Sequence, residues 1–111
     1  MDMTKEDVEQ RLEDPDVTIL DVRTAAEYSG EAGYPCDPRQ GHIPGARHLD
    51  VSELMGRTVE EVRELVGLPD GAEIVAYCHS GSRSAAAAEV LRAAGYAARN
   101  YPGSWHEWSR D

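Results

Sequence analysis

The stretch IVAYCHSGSRSAAAA, residues 74–88, decides how the rest of this chain is arranged. Its first four residues, 74–77, are apolar and predict a buried strand, while residues 84–94 are rich in strong helix formers and end at Gly95. Residues 78–83 between them predict a turn that begins with a cysteine. Because ligands bind beyond the carboxyl ends of strands in open α/β sheets, this turn is the candidate functional site.

The chemistry of the turn points to an activated thiol at Cys78. Backbone N–H groups of residues 79–84 can converge on the sulfur, and the start of the following helix adds partial positive charge. Such surroundings lower the pKa of a thiol below its ordinary value of about 8.5. The sequence therefore predicts that Cys78 is largely ionised at neutral pH and acts as a nucleophile.

Length and charge limit the remaining classes of function. The 111 residues support one domain, residues 1–111, with one modest core. The net charge of −10 argues against nucleic acid and against anionic membrane surfaces as partners. No apolar run approaches a membrane span or a signal peptide, so we expect a cytoplasmic protein whose two cysteines are thiols. We expect a monomer or a weak homodimer.

Strands alternate with helical segments along the chain, which predicts an α/β fold with a mainly parallel sheet and helices on both faces. The predicted strands cover residues 17–20, 47–49, 74–77 and 97–101. The predicted helices cover residues 4–13, 24–28, 51–55, 58–66, 84–94 and the end of 102–108. Residues 29–41 carry Gly, Pro and Cys36 without any period and predict a long loop.

Three stretches in this order resemble a known family, the rhodanese domains. They are LDVR with EY at residues 20–23 and 27–28, GHIPGA at residues 41–46, and CHSGSRS at residues 78–84. The similarity extends from residue 18 to residue 108, and the ending YPGSW at residues 101–105 is similar to the catalytic half of tandem sulfurtransferases. The resemblance implies a three-layer rhodanese-type fold.

The resemblance also implies a function, namely sulfur transfer. Cys78 would take sulfane sulfur from thiosulfate or a related small anionic donor, become a persulfide, and pass the sulfur to cyanide, a thiol or a protein acceptor. No metal or organic cofactor is implied. Asp21 and Arg23 would belong to the framework around the loop. The residues expected to bind the donor and the persulfide are His79, Ser80, Gly81, Ser82, Arg83 and Ser84.

Other functions stay open at this point. Related phosphatases and arsenate reductases place an arginine six positions after the cysteine, whereas Arg83 follows Cys78 by five, and this shorter loop suits a single bound sulfur. A 3-mercaptopyruvate sulfurtransferase is disfavoured by Glu27, where such relatives carry a basic residue. A persulfide carrier or a partner-docking module with little free turnover is the alternative of a different class.

Cys36 is a candidate second thiol, either an ordinary exposed thiol or a resolving thiol for the Cys78 persulfide. Cys36, His42 and His48 together fit no zinc-binding spacing, and we expect no metal site there. His42 is expected to stabilise its turn, because sulfur transfer from a thiolate needs no general base. Ser84 has an alternative role as the N-cap of the helix that follows the loop.

Overall fold

A computed structural model describes residues 2–110 of the chain. Four strands alternate with six helices, as the sequence predicts. The strands are β1 (Val17–Asp21), β2 (Arg47–His48), β3 (Glu73–Tyr77) and β4 (Ala97–Asn100). The helices are α1 (Lys5–Arg11), α2 (Ala25–Ser29), α3 (Val51–Leu54), α4 (Val59–Val66), α5 (Ser82–Ala93) and α6 (Ser104–Trp108). In residues 2–110, no helix has the length and apolar character needed to cross a membrane.

The four strands form one sheet in the order β2-β1-β3-β4, and every neighbouring pair is parallel. The chain passes from β1 to the edge strand β2 and then returns to β3 on the other side of β1. Asp21 at the end of β1 lies opposite Tyr77 at the end of β3. The strand order therefore reverses beside Cys78, which is the position where open parallel sheets bind ligands.

Two apolar cores, one on each face of the sheet, make the fold three-layered. Along β3, Ile74 and Ala76 enter the core beneath α3, α4 and α5, while Val75 and Tyr77 enter the core that holds α1 and α6. This alternation follows from the two-residue period of a strand. The predicted α/β class with helices on both faces is confirmed.

The predicted element bounds are right to within two residues, and the differences have local causes. Thr4, Thr24 and Thr58 are not the first residues of their helices but their N-caps, each closing a capping box. In α4, Val62 and Val66 are buried, but Val59 is 44% exposed. Val59 is the first helical residue, where the chain turns away from the core.

The largest difference concerns α5, which begins at Ser82 instead of Ser84. Gly81 is its N-cap, in a left-handed conformation with φ of +102°. The alternative that Ser84 caps the helix is therefore wrong, and the turn between strand and helix is shorter than predicted. The long loop is confirmed, since residues 30–46 contain neither helix nor strand.

Candidate active site

The Cys78 sulfur lies at the carboxyl edge of the sheet and is enclosed by the loop that follows β3. Cys78 is 1% exposed. The backbone N–H of Gly81 donates to Sγ at 3.0 Å, and the Ser84 hydroxyl lies 3.3 Å from Sγ. These donors belong to the first turns of α5, so the helix start and the loop together face the sulfur.

The environment favours the thiolate form of Cys78. Burial by itself raises the pKa of the thiol, but the Ser84 hydroxyl and the backbone N–H groups of Ser84, Gly81 and Ser80 lower it by more. The pKa of Cys78 therefore lies below its ordinary value. The Ser84 proton has a second acceptor, the Gly81 carbonyl at 3.2 Å, and a charged sulfur competes better for that proton than a neutral one.

Not every predicted hydroxyl takes part in the sulfur environment. Ser80 and Ser82 are exposed and, within residues 2–110, neither side chain donates to Sγ. Both side chains face solvent, and their expected role in binding the donor and the persulfide stays a prediction. Of the three serines, only Ser84, in the first turn of α5, has a hydroxyl that contacts the Cys78 sulfur.

Backbone geometry explains why the loop holds this shape. A Cβ atom added to Gly81 would lie 2.8 Å from the Pro102 carbonyl oxygen, so the loop and the segment before α6 approach too closely for a side chain. The Asn100 amide also donates to the Gly81 carbonyl at 3.2 Å. The loop is thus braced by the end of β4 as well as by its own helix.

Ser104 is a residue of the site that the sequence analysis missed. Its hydroxyl accepts a hydrogen bond from the Cys78 backbone N–H at 3.1 Å and donates to the Tyr101 carbonyl at 2.8 Å. Among residues 2–110, Ser104 is the single non-glycine residue with positive φ, +55°. Strain of this kind concentrates at functional sites. The motif YPGSW contains it, but nothing in the sequence indicates the left-handed backbone.

Arg83 is paired with an acid at the rim of the loop. Its guanidinium donates to both carboxylate oxygens of Glu27, at 2.9 and 3.2 Å. Burial by itself raises the pKa of the Glu27 carboxyl. The hydrogen bonds from Arg83 and from the Thr24 backbone outweigh burial and lower that pKa from 4.5 to about 2. Both partners are therefore charged at neutral pH, and Glu27 cancels most of the positive charge that Arg83 brings to the loop.

His79, the residue after Cys78, lies against the long loop. Its ring stacks on Tyr34 with centroids 3.7 Å apart, and its Nε2 lies 3.0 Å from Oδ2 of Asp37. Tyr34 and Glu27 also line an open cleft of about 300 Å³ beside the loop. Of these two residues, Tyr34 contacts His79 and Glu27 contacts Arg83. The cleft is therefore the candidate path by which a donor approaches the loop.

A buried polar framework underlies the loop, and Asp21 and Arg23 belong to it. Arg23 donates to both carboxylate oxygens of Asp21, the Tyr77 hydroxyl donates to Asp21 at 2.8 Å, and all three side chains are buried. Tyr77 accepts from the backbone N–H of Ile43, and Arg23 donates to the carbonyl of Gly41. The framework fixes the start of the GHIPGA segment to the ends of β1 and β3.

The remaining candidates from the sequence analysis lie apart from the sulfur. Cys36 is an exposed free thiol, and its sulfur lies 3.8 Å from Oδ1 of Asp37. His42 Nδ1 lies 2.8 Å from the Tyr28 carbonyl and His48 Nε2 lies 2.7 Å from the Arg23 carbonyl, so each ring holds a loop by a backbone contact. The structure does not bring His42 and His48 together with Cys36.

A buried thiol with a lowered pKa, held at a strand end by a helix start, is typical of α/β domains that use a loop cysteine as nucleophile. Residues 4–111 match the family of rhodanese-like domains. The chain belongs to this family, and the predicted resemblance is confirmed.

Known relatives carry sulfur-transfer functions. The chain is 41% identical over 106 residues to a thiosulfate sulfurtransferase of Corynebacterium glutamicum, a match covering 83% of this chain and 35% of that protein. It is 36% identical over 106 residues to the sulfur carrier protein TtuD of Thermus thermophilus, covering 81% and 37%. A crystal structure of a "probable thiosulfate sulfurtransferase" superposes with a TM-score of 0.85 at 40% identity, covering 98% of this chain and 44% of that chain.

The chain spans little more than a third of the length of these two curated relatives. The match therefore concerns the rhodanese-like domain, and the relatives it resembles include thiosulfate sulfurtransferases.

Proposed function

We propose that this protein is a thiosulfate sulfurtransferase that moves sulfane sulfur through a persulfide on Cys78. The observation that carries the proposal is the buried Cys78 sulfur, which accepts hydrogen bonds from the Gly81 N–H and the Ser84 hydroxyl. Such an arrangement activates a thiolate and offers donors to the negative charge that replaces it. The similarity to thiosulfate sulfurtransferases agrees with this choice of donor.

In the first half-reaction, the Cys78 thiolate attacks the outer sulfur of thiosulfate. A bond forms between the two sulfur atoms, the S–S bond of thiosulfate breaks, and sulfite leaves with the electron pair. The total charge is unchanged, because the enzyme stays monoanionic and sulfite carries away two charges. The step needs no general base, since the nucleophile is already deprotonated.

In the second half-reaction, an acceptor such as cyanide or a thiolate attacks the terminal sulfur of the persulfide. The S–S bond breaks, thiocyanate or a new persulfide leaves, and the Cys78 thiolate returns. Between the two steps the terminal sulfur carries the negative charge. The backbone N–H of Gly81 and the Ser84 hydroxyl, which contact Sγ of Cys78, would stabilise that charge.

One observation favours a second candidate function, that of a persulfide carrier with little free turnover. Glu27 neutralises Arg83, so the guanidinium of the loop offers no uncompensated charge to a thiosulfate dianion. A protein-bound donor or acceptor relies less on such charge. The similarity to a sulfur carrier protein is consistent with this alternative.

The contacts of Arg83 argue against a phosphatase or arsenate reductase. Phosphoryl transfer needs an arginine that clamps the equatorial oxygens of the substrate, whereas the Arg83 guanidinium is held by both oxygens of Glu27. Glu27 also places a negative charge beside the cleft of about 300 Å³ that it lines. That charge repels either anionic donor, so thiosulfate is kept as the proposed donor on the similarity to thiosulfate sulfurtransferases.

The experiment is a steady-state assay of thiocyanate formation from thiosulfate and cyanide, with the Cys78→Ser variant as the control. The wild-type protein should turn over and the variant should show less than a few per cent of its rate, with an unchanged circular dichroism spectrum. Activity in the variant would contradict the mechanism. Slow wild-type turnover combined with rapid single-turnover release of sulfite would favour the carrier instead.

A further inference from the structure

A second cluster of reactive side chains lies beside the Cys78 loop, and the two half-reactions proposed above assign it no step. Cys36 and Asp37 come from the long loop, His79 from the residue after Cys78, and His106 from α6. Their donor atoms, one from each residue, all lie within 4.8 Å of one another. Three distant segments of the chain therefore bring a thiol, a carboxylate and two imidazoles to one point.

The geometry of the cluster is close to that of metal ligands. Nε2 of His79 lies 3.0 Å from Oδ2 of Asp37, Nδ1 of His106 lies 3.4 Å from Oδ1, and the Cys36 sulfur lies 3.8 Å from Oδ1. Bonds of about 2.0 to 2.3 Å in a tetrahedron separate neighbouring ligand atoms by about 3.3 to 3.6 Å. The four donors, all within 4.8 Å of one another, are near that spacing.

The hydrogen bonds of the cluster are incomplete in a way that points to a ligand. The Asp37 side chain is 0% exposed, yet its Oδ2 and the facing Nε2 of His79 are buried without a hydrogen-bond partner. The two atoms are near each other but their directions do not align. Buried polar atoms are normally satisfied, so this pair calls for an explanation. Two ligands directed at one ion have this arrangement.

The surrounding contacts hold the donors in place. The His106 backbone N–H donates to the His79 carbonyl at 2.9 Å, which ties the two histidine residues together. Arg110 donates to Oδ1 of Asp37 at 3.0 Å and to the Cys36 carbonyl at 2.8 Å. Hydrogen bonds that orient a ligating carboxylate are typical of metal sites. Arg110 leaves Oδ2 as the unbonded oxygen.

From these observations we propose that Cys36, Asp37, His79 and His106 form a binding site for a divalent transition-metal ion of the Zn²⁺ type. Thiolate and imidazole ligands select Zn²⁺ over Mg²⁺ and Ca²⁺, which prefer oxygen. The Cys36 thiolate and the Asp37 carboxylate together balance the charge of the ion. This site differs from the sequence-based expectation of no metal, because Cys36 pairs with His79 and His106 instead of His42 and His48.

The test is calorimetric titration of Zn²⁺ into the reduced, chelator-treated Cys78→Ser variant, in which Cys36 is the remaining thiol. One Zn²⁺ should bind per chain with micromolar or tighter affinity, and Mg²⁺ should not compete. Adding Cys36→Ser or His106→Gln should weaken binding by about tenfold or more, as losses at metal sites do. Both residues are exposed, so these variants should fold. The matched control His48→Gln should bind Zn²⁺ unchanged.

Co²⁺ substitution gives a second readout that reports the ligands directly. The Cys78→Ser variant loaded with Co²⁺ should show a thiolate-to-cobalt charge-transfer band and the visible bands of tetrahedral coordination, and Cys36→Ser should remove the charge-transfer band. Absence of Zn²⁺ binding at about 100 μM would overturn the proposal. Binding that survives both Cys36→Ser and His106→Gln, or that is lost equally in His48→Gln, would overturn it as well.

Discussion

Two arginine–carboxylate pairs flank the Cys78 loop, one beneath it and one at its rim. Arg23 and Asp21 lie under the loop with side chains 1% and 0% exposed, while Arg83 and Glu27 lie at the rim with side chains 31% and 11% exposed. Both pairs are joined by more than one hydrogen bond. Because burial differs, the first pair should act on the fold and the second on the charge that a donor meets.

The buried pair is also connected to more of the molecule. Asp21 accepts from Arg23 and from Tyr77, and Arg23 reaches the Gly41 carbonyl. The pair at the rim connects only the first turn of α2 to the loop. Glu27 lies in that turn and also accepts a hydrogen bond from the Thr24 backbone N–H, which closes the capping box of α2. The same chemistry therefore has two different consequences, and the following experiments separate them.

The largest effect is expected from Arg23→Met, which leaves the Asp21 charge buried without its partner. Breaking a buried pair in this way costs about 3 to 5 kcal/mol, a large share of the roughly 5 to 15 kcal/mol that stabilises a domain. Urea denaturation measures the loss. Arg57→Met, which removes an exposed pair with Glu61, is the control and should cost no more than about 0.5 kcal/mol. Equal losses in both variants would refute the distinction.

A smaller and pH-dependent loss is expected from Glu27→Gln. The pKa of Glu27 is lowered from 4.5 to about 2, so its stabilising contribution is present above about pH 4.5 and is lost as the pH falls toward 2. At pH 7 the variant should lose about 1 to 3 kcal/mol, and the difference from wild type should shrink near pH 3. Glu31→Gln, at an exposed position, should show neither effect. A pH-independent difference would contradict the assignment.

The thiolate between the two pairs can be tested with a serine that contacts it and one that does not. Ser84→Ala removes the hydroxyl 3.3 Å from the sulfur and should raise the pKa of Cys78. Persulfide formation below pH 7 should slow by about tenfold, since a hydrogen bond to a charged group contributes roughly 1.5 kcal/mol. Ser82→Ala, an exposed neighbour in the same helix, should leave the pH profile unchanged. Identical profiles for both variants would exclude a role for Ser84.

The smallest effect concerns donor binding at the rim. In Glu27→Gln the Arg83 charge is no longer cancelled, so the KM for thiosulfate should fall by about threefold, or roughly 0.7 kcal/mol, with little change in kcat. Raising the salt concentration should reduce the gain because the pair is partly exposed. An unchanged or higher KM in Glu27→Gln, with Glu31→Gln behaving like wild type, would show that the donor does not meet this charge.

The fold and the position of the cysteine loop could be predicted because their signals are local. Residues 74–77 and the helix formers after Cys78 are contiguous, and the order of strands and helices follows from composition and spacing. The bounds of α5 were harder to predict, because the left-handed Gly81 moves the helix start two residues earlier than serine chemistry indicates. The strained backbone of Ser104 has no sequence signal at all.

The pairings of the site could not be predicted, because they depend on how residues 30–46 fold back over the sheet. That segment has no period, so nothing in the sequence indicates that Asp37 reaches His79. Glu27 was recognised as an unusual residue, but its contact with Arg83 joins positions 56 residues apart. Contacts of this kind come from tertiary packing, which local propensity does not encode.

The central claim is that Cys78 carries the transferred sulfur, and intact-protein mass spectrometry tests it most directly. The wild-type protein and the Cys78→Ser variant are each incubated with thiosulfate, and their masses are compared before and after cyanide. The wild-type protein should gain the mass of one sulfur atom and lose it to cyanide, and the variant should gain nothing. A sulfur gained equally by the variant would place the persulfide on Cys36 and contradict the account.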